Sequence, residues 1–391
     1  MIDIEKIRAE TPGIDFSVHL LACGSSLMPQ RVVDVILEHT QLEALMGGYE
    51  AEAKKIGDLN KIYDVVAEHI GANSNEIALM ENSTVAWSHA FYALPLKSGS
   101  RILTSEAEYA ANYVAFLQRA KRDNLTIDII PSDQNGTLDT NALEAMVDER
   151  VGLIAISWIP TNGGLVNPAE GVGKVAKKYN IPYLLDACQA AGQMQIDVNK
   201  IQCDFLSATG RKFLRGPRGT GFLYINEKWL GTIEPVMIDH FGAPWVKKNV
   251  YELREDARRF ETWENSYALR AGLGEAIKYA EEIGIDLIHE RVQLLAKFNR
   301  DLLSEIKNIQ LRDIGTEQCG IISFSIDEKN DPKEIVDQMS EAGFAIGLVG
   351  PESTLIDSER RKLPTLLRMA PHYYNTEDEI EKAVKQVSLL L

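Results

Sequence analysis

A lysine on a short polar turn and an acid closing an apolar strand are the residues of this chain best placed to do chemistry. The lysine is Lys212, in Ser207-Ala208-Thr209-Gly210-Arg211-Lys212, and the acid is Asp186, in Tyr183-Leu184-Leu185-Asp186-Ala187-Cys188-Gln189. Pyridoxal phosphate needs such a pair. The amine forms a Schiff base with the aldehyde, and the acid pairs with the protonated pyridine nitrogen so that the ring can take up electrons. Taken singly, an Asp after a strand is an ordinary helix cap and a Lys an ordinary solvated group. It is the combination that points to chemistry.

Other polar segments agree with it. In an open α/β sheet, ligands bind beyond the carboxyl ends of the strands, and each of these segments follows a strand-like run. Glu81-Asn82-Ser83-Thr84 follows residues 76–80 and opens a helix. Hydroxyls and backbone N–H groups there make an anion site suited to a phosphate ester, although Ser83 or Thr84 could equally cap the helix. The segment from Ser105 to Asn112 follows residues 101–104 and offers Tyr109 to stack on a ring; an ordinary half-buried tyrosine fits as well. Ile159-Pro160-Thr161-Asn162-Gly163-Gly164 follows residues 153–158 and could reach a ring hydroxyl or simply make a turn. Thr209 and Arg211 flank the lysine with a hydroxyl and a guanidinium suited to phosphate oxygens. Arg215 and Arg218 read better as structural ion-pair partners.

The elements that must position these residues alternate between short β-rich runs and helical stretches. Strands are expected at 76–80, 101–104, 126–130, 153–158, 183–185, 205–207 and 221–225, several of them apolar on both faces, as strands between helix layers are. The alternation implies an α/β fold with a largely parallel sheet. Helices over 31–46 and 51–70 precede it, each stopped by glycine. After about residue 264 the pattern changes to a long helical stretch over 266–307, then strands at 320–325, 345–349 and 366–369. A closing helix is opened by Asn375-Thr376-Glu377-Asp378. This part reads as a smaller α+β domain.

Composition narrows the function. A net charge of -16 over 391 residues leaves no basic surplus to displace counterions from nucleic acid. No apolar run approaches a membrane span. The four cysteines lack CxxC spacing and read as reduced thiols, and the seven histidines show no HExxH or similar pattern, so no metal is expected. The start lacks the blocks of a signal peptide, and a cytoplasmic enzyme is expected.

At these residues the chain resembles class V of the fold-type I pyridoxal-phosphate enzymes. That group includes cysteine desulfurases, selenocysteine lyases, isopenicillin N epimerase and hercynylcysteine sulfoxide lyase. The strand–Asp–x–x–Gln and Thr-Gly-Arg-Lys segments carry the resemblance, which runs on to Tyr374-Asn375-Thr376-Glu377. It implies a mostly parallel seven-stranded sheet in a large domain over 16–264, with a smaller α+β domain formed by 1–15 and 265–391. It implies that Lys212 holds the cofactor, Asp186 the pyridinium and Gln189 the ring hydroxyl, with Ser83, Thr84, Thr209 and Arg211 on the phosphate. The family usually has Ser and His where Thr209 and Arg211 stand. Its stacking position falls on Tyr109 or Ala110, and its ring-hydroxyl asparagine on Asn162, or one place off on Thr161. Such enzymes are homodimers with a shared site, to which the neighbour would bring Asn265 or Ser266. Arg368, in Leu366-Leu367-Arg368-Met369, matches the arginine that grips the α-carboxylate of an amino-acid substrate.

One departure bears on the reaction. Cysteine desulfurases pass sulfur to a loop cysteine upstream of that arginine, and residues 347–367 contain none. That disfavours a persulfide-forming desulfurase, and residues 160–168 and 207–212 resemble the branch containing hercynylcysteine sulfoxide lyase, which implies C–S β-elimination from a cysteine conjugate or sulfoxide. Class V transamination, epimerisation and a silent cofactor-binding role are the alternatives.

Overall fold

The computed structural model describes residues 2–391. The β-rich runs form one sheet of seven strands: β1 Ile77–Met80, β2 Arg101–Ser105, β3 Thr126–Ile130, β4 Val151–Ser157, β5 Tyr183–Asp186, β6 Phe205–Thr209 and β7 Gly221–Ile225. Their order is β1-β7-β6-β5-β4-β2-β3. Neighbours are parallel except at β7, which runs antiparallel to both β1 and β6. The mostly parallel α/β fold expected from the sequence is the one observed.

Among the helices are α1 Gln30–Met46, α2 Gly48–Ile70, α3 Ser83–Ala93, α4 Ala110–Asp123, α5 Ala169–Lys178, α6 Tyr267–Ile283, α7 Ile285–Ser304, α8 Leu355–Arg361 and α9 Glu377–Leu390. Successive strand residues point to opposite faces of a sheet, and here both faces are covered. Leu184 and Phe205 pack with Trp87, Phe91 and Phe116 of α3 and α4. Tyr183, Leu185 and Leu206 pack on the other face with Val172 and Ala176 of α5 and with residues of α2 and α6. That two-sided burial is why the strands lack polar alternation.

A second sheet of four antiparallel strands follows: β8 Ile309–Leu311, β9 Ile322–Ile326, β10 Gly347–Val349 and β11 Leu366–Met369, in the order β8-β9-β11-β10. Arg368 lies in its middle, opposite Ser323 on one side and Gly347 on the other. The N-terminal segment joins this part of the molecule through a bridge from Leu21 to Ala370.

Two expectations change in detail. The stretch over 266–307 is broken at Gly284, whose φ of 96° is open to glycine and ends α6. The short edge strand β8 and the helix α8 were not foreseen, since neither has a full period of apolar pattern. At the C-terminal helix, Thr376 caps as expected and forms a reciprocal capping box with Glu379. No helix among the described residues is long and apolar enough to cross a membrane.

Candidate active site

The carboxyl ends of β4, β5 and β6 and the start of α3 converge on one cavity of about 510 Å³. Ser83, Thr84, Tyr109, Asp186, Gln189, Thr209, Arg211 and Lys212 all line it. Lys212 sits on the connection from β6 to the antiparallel β7. That connection is closed by Gly210 N–H donating to the Thr220 carbonyl (3.0 Å) and Gly216 N–H to the Gly210 carbonyl (2.7 Å). A Cβ at Gly221 would meet the Ala208 carbonyl oxygen at 2.5 Å and Ser83 N at 3.2 Å, so this glycine lets the start of α3 close against β7. Asn82 caps α3 by accepting from Val85 N–H (3.0 Å), which leaves the first N–H groups of the helix facing the cavity.

Burial lowers the pKa of the Lys212 amine. The neighbouring Cys188 and Asp186 oppose this and Arg211 adds to it. An amine held below its ordinary range is more often neutral, and so a better nucleophile toward an aldehyde. Asp186 accepts from Cys188 N–H on Oδ1 (2.9 Å) and from Asn112 Nδ2 on Oδ2 (3.0 Å). Gln189 donates from Nε2 to the Cys23 carbonyl (3.2 Å), while its Oε1 is buried with no protein partner.

Asn162, Asn265 and Arg368 are not among the lining residues. Asn162 turns its amide away, donating to the Gly350 carbonyl at 3.4 Å, and it is Thr161 that faces the cavity. Asn265 donates to the carbonyls of Thr262 and Trp263 and lies outside the cavity of its own chain. Arg368 stands just behind it, with NH1 donating to the carbonyl (2.9 Å) and hydroxyl (2.6 Å) of Thr161. Its Nε is buried without a partner.

Other details differ from the sequence reading. The Thr209 hydroxyl donates to the Thr220 carbonyl (3.3 Å) and Arg211 spends one nitrogen on the Gly24 carbonyl, so neither gives all its donors to the cavity. Tyr109 lines the cavity and Ala110 does not. The ion-pair reading of Arg215 and Arg218 fails, because neither pairs with a carboxylate among the described residues. Arg218 is exposed and lines the cavity. Arg215, with a φ of 59°, is fully buried. It donates to the Leu27 carbonyl (2.8 Å), the Tyr373 hydroxyl (2.9 Å) and Thr11 Oγ1 (2.7 Å). Its guanidinium lies 4.7 Å from the ring centre of Tyr374 and 5.0 Å from that of Tyr373, so aromatic faces stand in for an anion.

Sequence reasoning also missed Asn112, Ser157 and Cys188 as cavity residues. Cys188 lies beside Asp186, and burial, with the Asp186 charge adding, pushes its thiol up to about 12. Its two-residue spacing from Asp186 was the one available signal.

The donor set fits pyridoxal phosphate. Orphaned Gln189 Oε1, a paired carboxylate at Asp186, a depressed amine at Lys212 and a helix start with two hydroxyls would each meet one part of that molecule.

The comparisons agree. Residues 18–383 match the aminotransferase class-V family model. A probable cysteine desulfurase of Methanothermobacter thermautotrophicus is 27% identical over 383 residues, covering 96% of this chain and 95% of that protein. A cysteine desulfurase of Serratia proteamaculans is also 27% identical, with 97% and 96% covered. Among solved structures, the apo cysteine desulfurase from Thermococcus onnurineus NA1 superposes with a TM-score of 0.93 at 25% identity, over 100% of this chain and 98% of that one. The cystine C–S lyase C-DES, solved with its product cysteine persulfide, superposes at 0.87 and 21% identity over 97% and 99%, a likeness of fold. The chain belongs to the aminotransferase class-V family, and it is a pyridoxal-phosphate enzyme. Within that family it is cysteine-desulfurase-like.

Proposed function

We propose that the protein is a C–S β-lyase acting on a cysteine conjugate or sulfoxide, without a persulfide-carrying cysteine. One observation carries this reading. The segment from Gly350 through α8 to β11 crosses the strand-end edge beside Thr161, held by Asn162 to Gly350 and by Asp357 N–H to the Glu106 carbonyl (3.2 Å), and it contains no cysteine. Cys188 is the only cysteine lining the cavity, and with a thiol at about 12 it is protonated and a poor sulfur acceptor. Cys23, Cys203 and Cys319 are buried.

Ser83, Thr84, Arg211 and the start of α3 would hold the phosphate, Asp186 and Gln189 the ring edge, and Tyr109 the ring face. When bound, the cofactor supplies an electron sink for the substrate Cα. Arg368 would fix the substrate carboxylate through its free Nε and so set the Cα–H direction. Lys212 Nζ takes that proton. The Cα–H and Cβ–S bonds break, the sulfur fragment leaves with the electron pair of the latter, and hydration of the remaining skeleton gives pyruvate and ammonia. We place Lys212 and Asp186 in a domain over 16–264 and Arg368 in one formed by 1–15 and 265–391. A homodimer, with Asn265 reaching the neighbour's phosphate, completes the reading.

The test is a product assay on purified enzyme with cysteine, S-alkyl cysteines, cysteine sulfoxides and amino-acid/oxo-acid pairs. Pyruvate and ammonia from a conjugate or sulfoxide are expected. Alanine with persulfide from cysteine would make the protein a desulfurase like its named relatives, and a new amino acid would make it an aminotransferase.

A further inference from the structure

A second buried carboxylate stands behind Asp186. Glu108 is 3% exposed and accepts five hydrogen bonds: from Tyr109 N–H (2.9 Å), Asn112 Nδ2 (2.9 Å), Ser157 N–H (2.8 Å), Ser157 Oγ (2.6 Å) and Thr104 Oγ1 (3.1 Å). Three of these groups can only donate, so the site is shaped for an acceptor on both oxygens. A buried carboxylate with no cation beside it is costly. Five donors offset that cost, yet the sequence places the acid here without any pairing Lys or Arg.

The same Asn112 nitrogen that donates to Glu108 Oε1 donates to Asp186 Oδ2 (3.0 Å). One amide group therefore bridges the two carboxylates, and both of its N–H bonds are used. This fixes the amide orientation, because a flipped Asn112 would set its oxygen against two anions. Asp186 Oδ1 is fixed in turn by Cys188 N–H (2.9 Å). The carboxylate plane is thus held from both ends, on the floor of the cavity.

We propose that Glu108, acting through Asn112, is a positioning residue for Asp186: it locks the bridging amide, aims the Asp186 carboxylate at the cofactor ring nitrogen and adds negative potential behind it. This rests on the reading of the cavity as a pyridoxal-phosphate site. The other ionisable groups facing the pair are Cys188 beside Asp186, Lys212 and Arg211 across the cavity, and Tyr183 on β5. Neither arginine nor lysine touches Glu108, so its charge is felt at the ring rather than cancelled. Burial holds the Glu108 carboxyl above its ordinary range, with the Asp186 charge adding.

Glu108→Gln keeps the shape and removes the charge, and it sets an amide against N–H donors. The experiment uses the purified holoenzyme, with pyridoxal phosphate as the probe. The visible absorbance of the bound cofactor is titrated against pH, its dissociation constant is measured, and kcat and KM are separated. Removing an anion destabilises nearby cationic forms, so the absorbance midpoint moves to lower pH, by about 0.5–1 unit. The expected loss is roughly ten- to a hundredfold in kcat with little change in KM, as for a misaimed group. Asn112→Ser, which removes only the bridge, gives the same pattern, and Glu108→Asp restores part of the midpoint shift. If Glu108→Gln is recovered unfolded, Asn112→Ser decides alone. A folded variant with unchanged midpoint and unchanged kcat overturns the inference. A wild-type protein that binds no pyridoxal phosphate overturns the site reading instead.

Discussion

The floor of the cavity and its mouth are built by different means. The floor is a set of strand ends: Ser157, Asp186 and Thr209 close β4, β5 and β6, and all three are buried and hydrogen-bonded. Its geometry is inherited from the sheet, whose register leaves little freedom. The mouth is a crossing of segments far apart in sequence, where Arg368 of the four-stranded sheet meets Thr161 and the Gly350 segment meets Asn162. It is held by side-chain contacts between these segments, two hydrogen bonds from Arg368 and one from Asn162, with an ion pair from Arg360 to Glu106. On the proposed reading, cofactor chemistry falls to the strand ends and substrate choice to the connecting segments, where loops on a scaffold usually carry specificity.

That contrast can be broken or sharpened by measurement. The largest effect belongs to the floor: Lys212→Ala should cut turnover by about 10⁴-fold or more and abolish borohydride trapping of the cofactor, with substrate binding retained. Residual turnover near that of the wild type would remove the amine from the reaction. At the mouth, Arg368→Ala should weaken amino-acid substrates by about 2–5 kcal/mol and leave the cofactor dissociation constant alone. Unchanged KM for every substrate in a steady-state screen would take Arg368 out of the site.

Smaller effects test how far the floor is fixed. Gly192 has a φ of 92°, and a Cβ there would meet the Phe213 carbonyl carbon at 2.3 Å. Gly192→Ala should cost about 1–3 kcal/mol and displace the residue next to Lys212, seen as lower thermal stability together with weaker cofactor binding; a melt equal to that of the wild type would contradict this. The smallest is a pH effect. His372 accepts from Tyr373 N–H at Nδ1 (2.9 Å) and donates from Nε2 to the Phe213 carbonyl (2.8 Å). Burial, with the Arg215 charge adding, holds its pKa well below 6.5. The unfolded chain binds this proton first as pH falls, so stability is full above about 6.5 and declines below it, by up to about 1.4 kcal/mol per pH unit. His372→Gln should flatten that decline in denaturation curves taken between neutral and mildly acidic pH.

The same division decided what could be read from the chain alone. Strands β4 to β7 announced themselves because burial on both faces makes them continuous apolar runs, and Asp186 and Lys212 stood out by their place just after two of them. Strand direction was not legible: nothing in residues 221–225 shows that β7 is reversed. Glu108 and Asn112 were invisible as a unit, since their meaning depends on Asp186, 74 positions further on. Arg215 and Arg218 were misjudged for a related reason. A buried arginine is normally matched to an acid, and only the fold shows the rings of Tyr373 and Tyr374 standing in for one. Asn162 and Thr161, between which the resemblance did not choose, are told apart only by the contact each makes in the fold.

The Arg215 clamp joins segments remote in sequence. Its side chain ties Thr11 and Leu27 to Tyr373. The turn that carries Lys212 is therefore moored from both sides at once, so slack introduced into either tether is passed on to the amine.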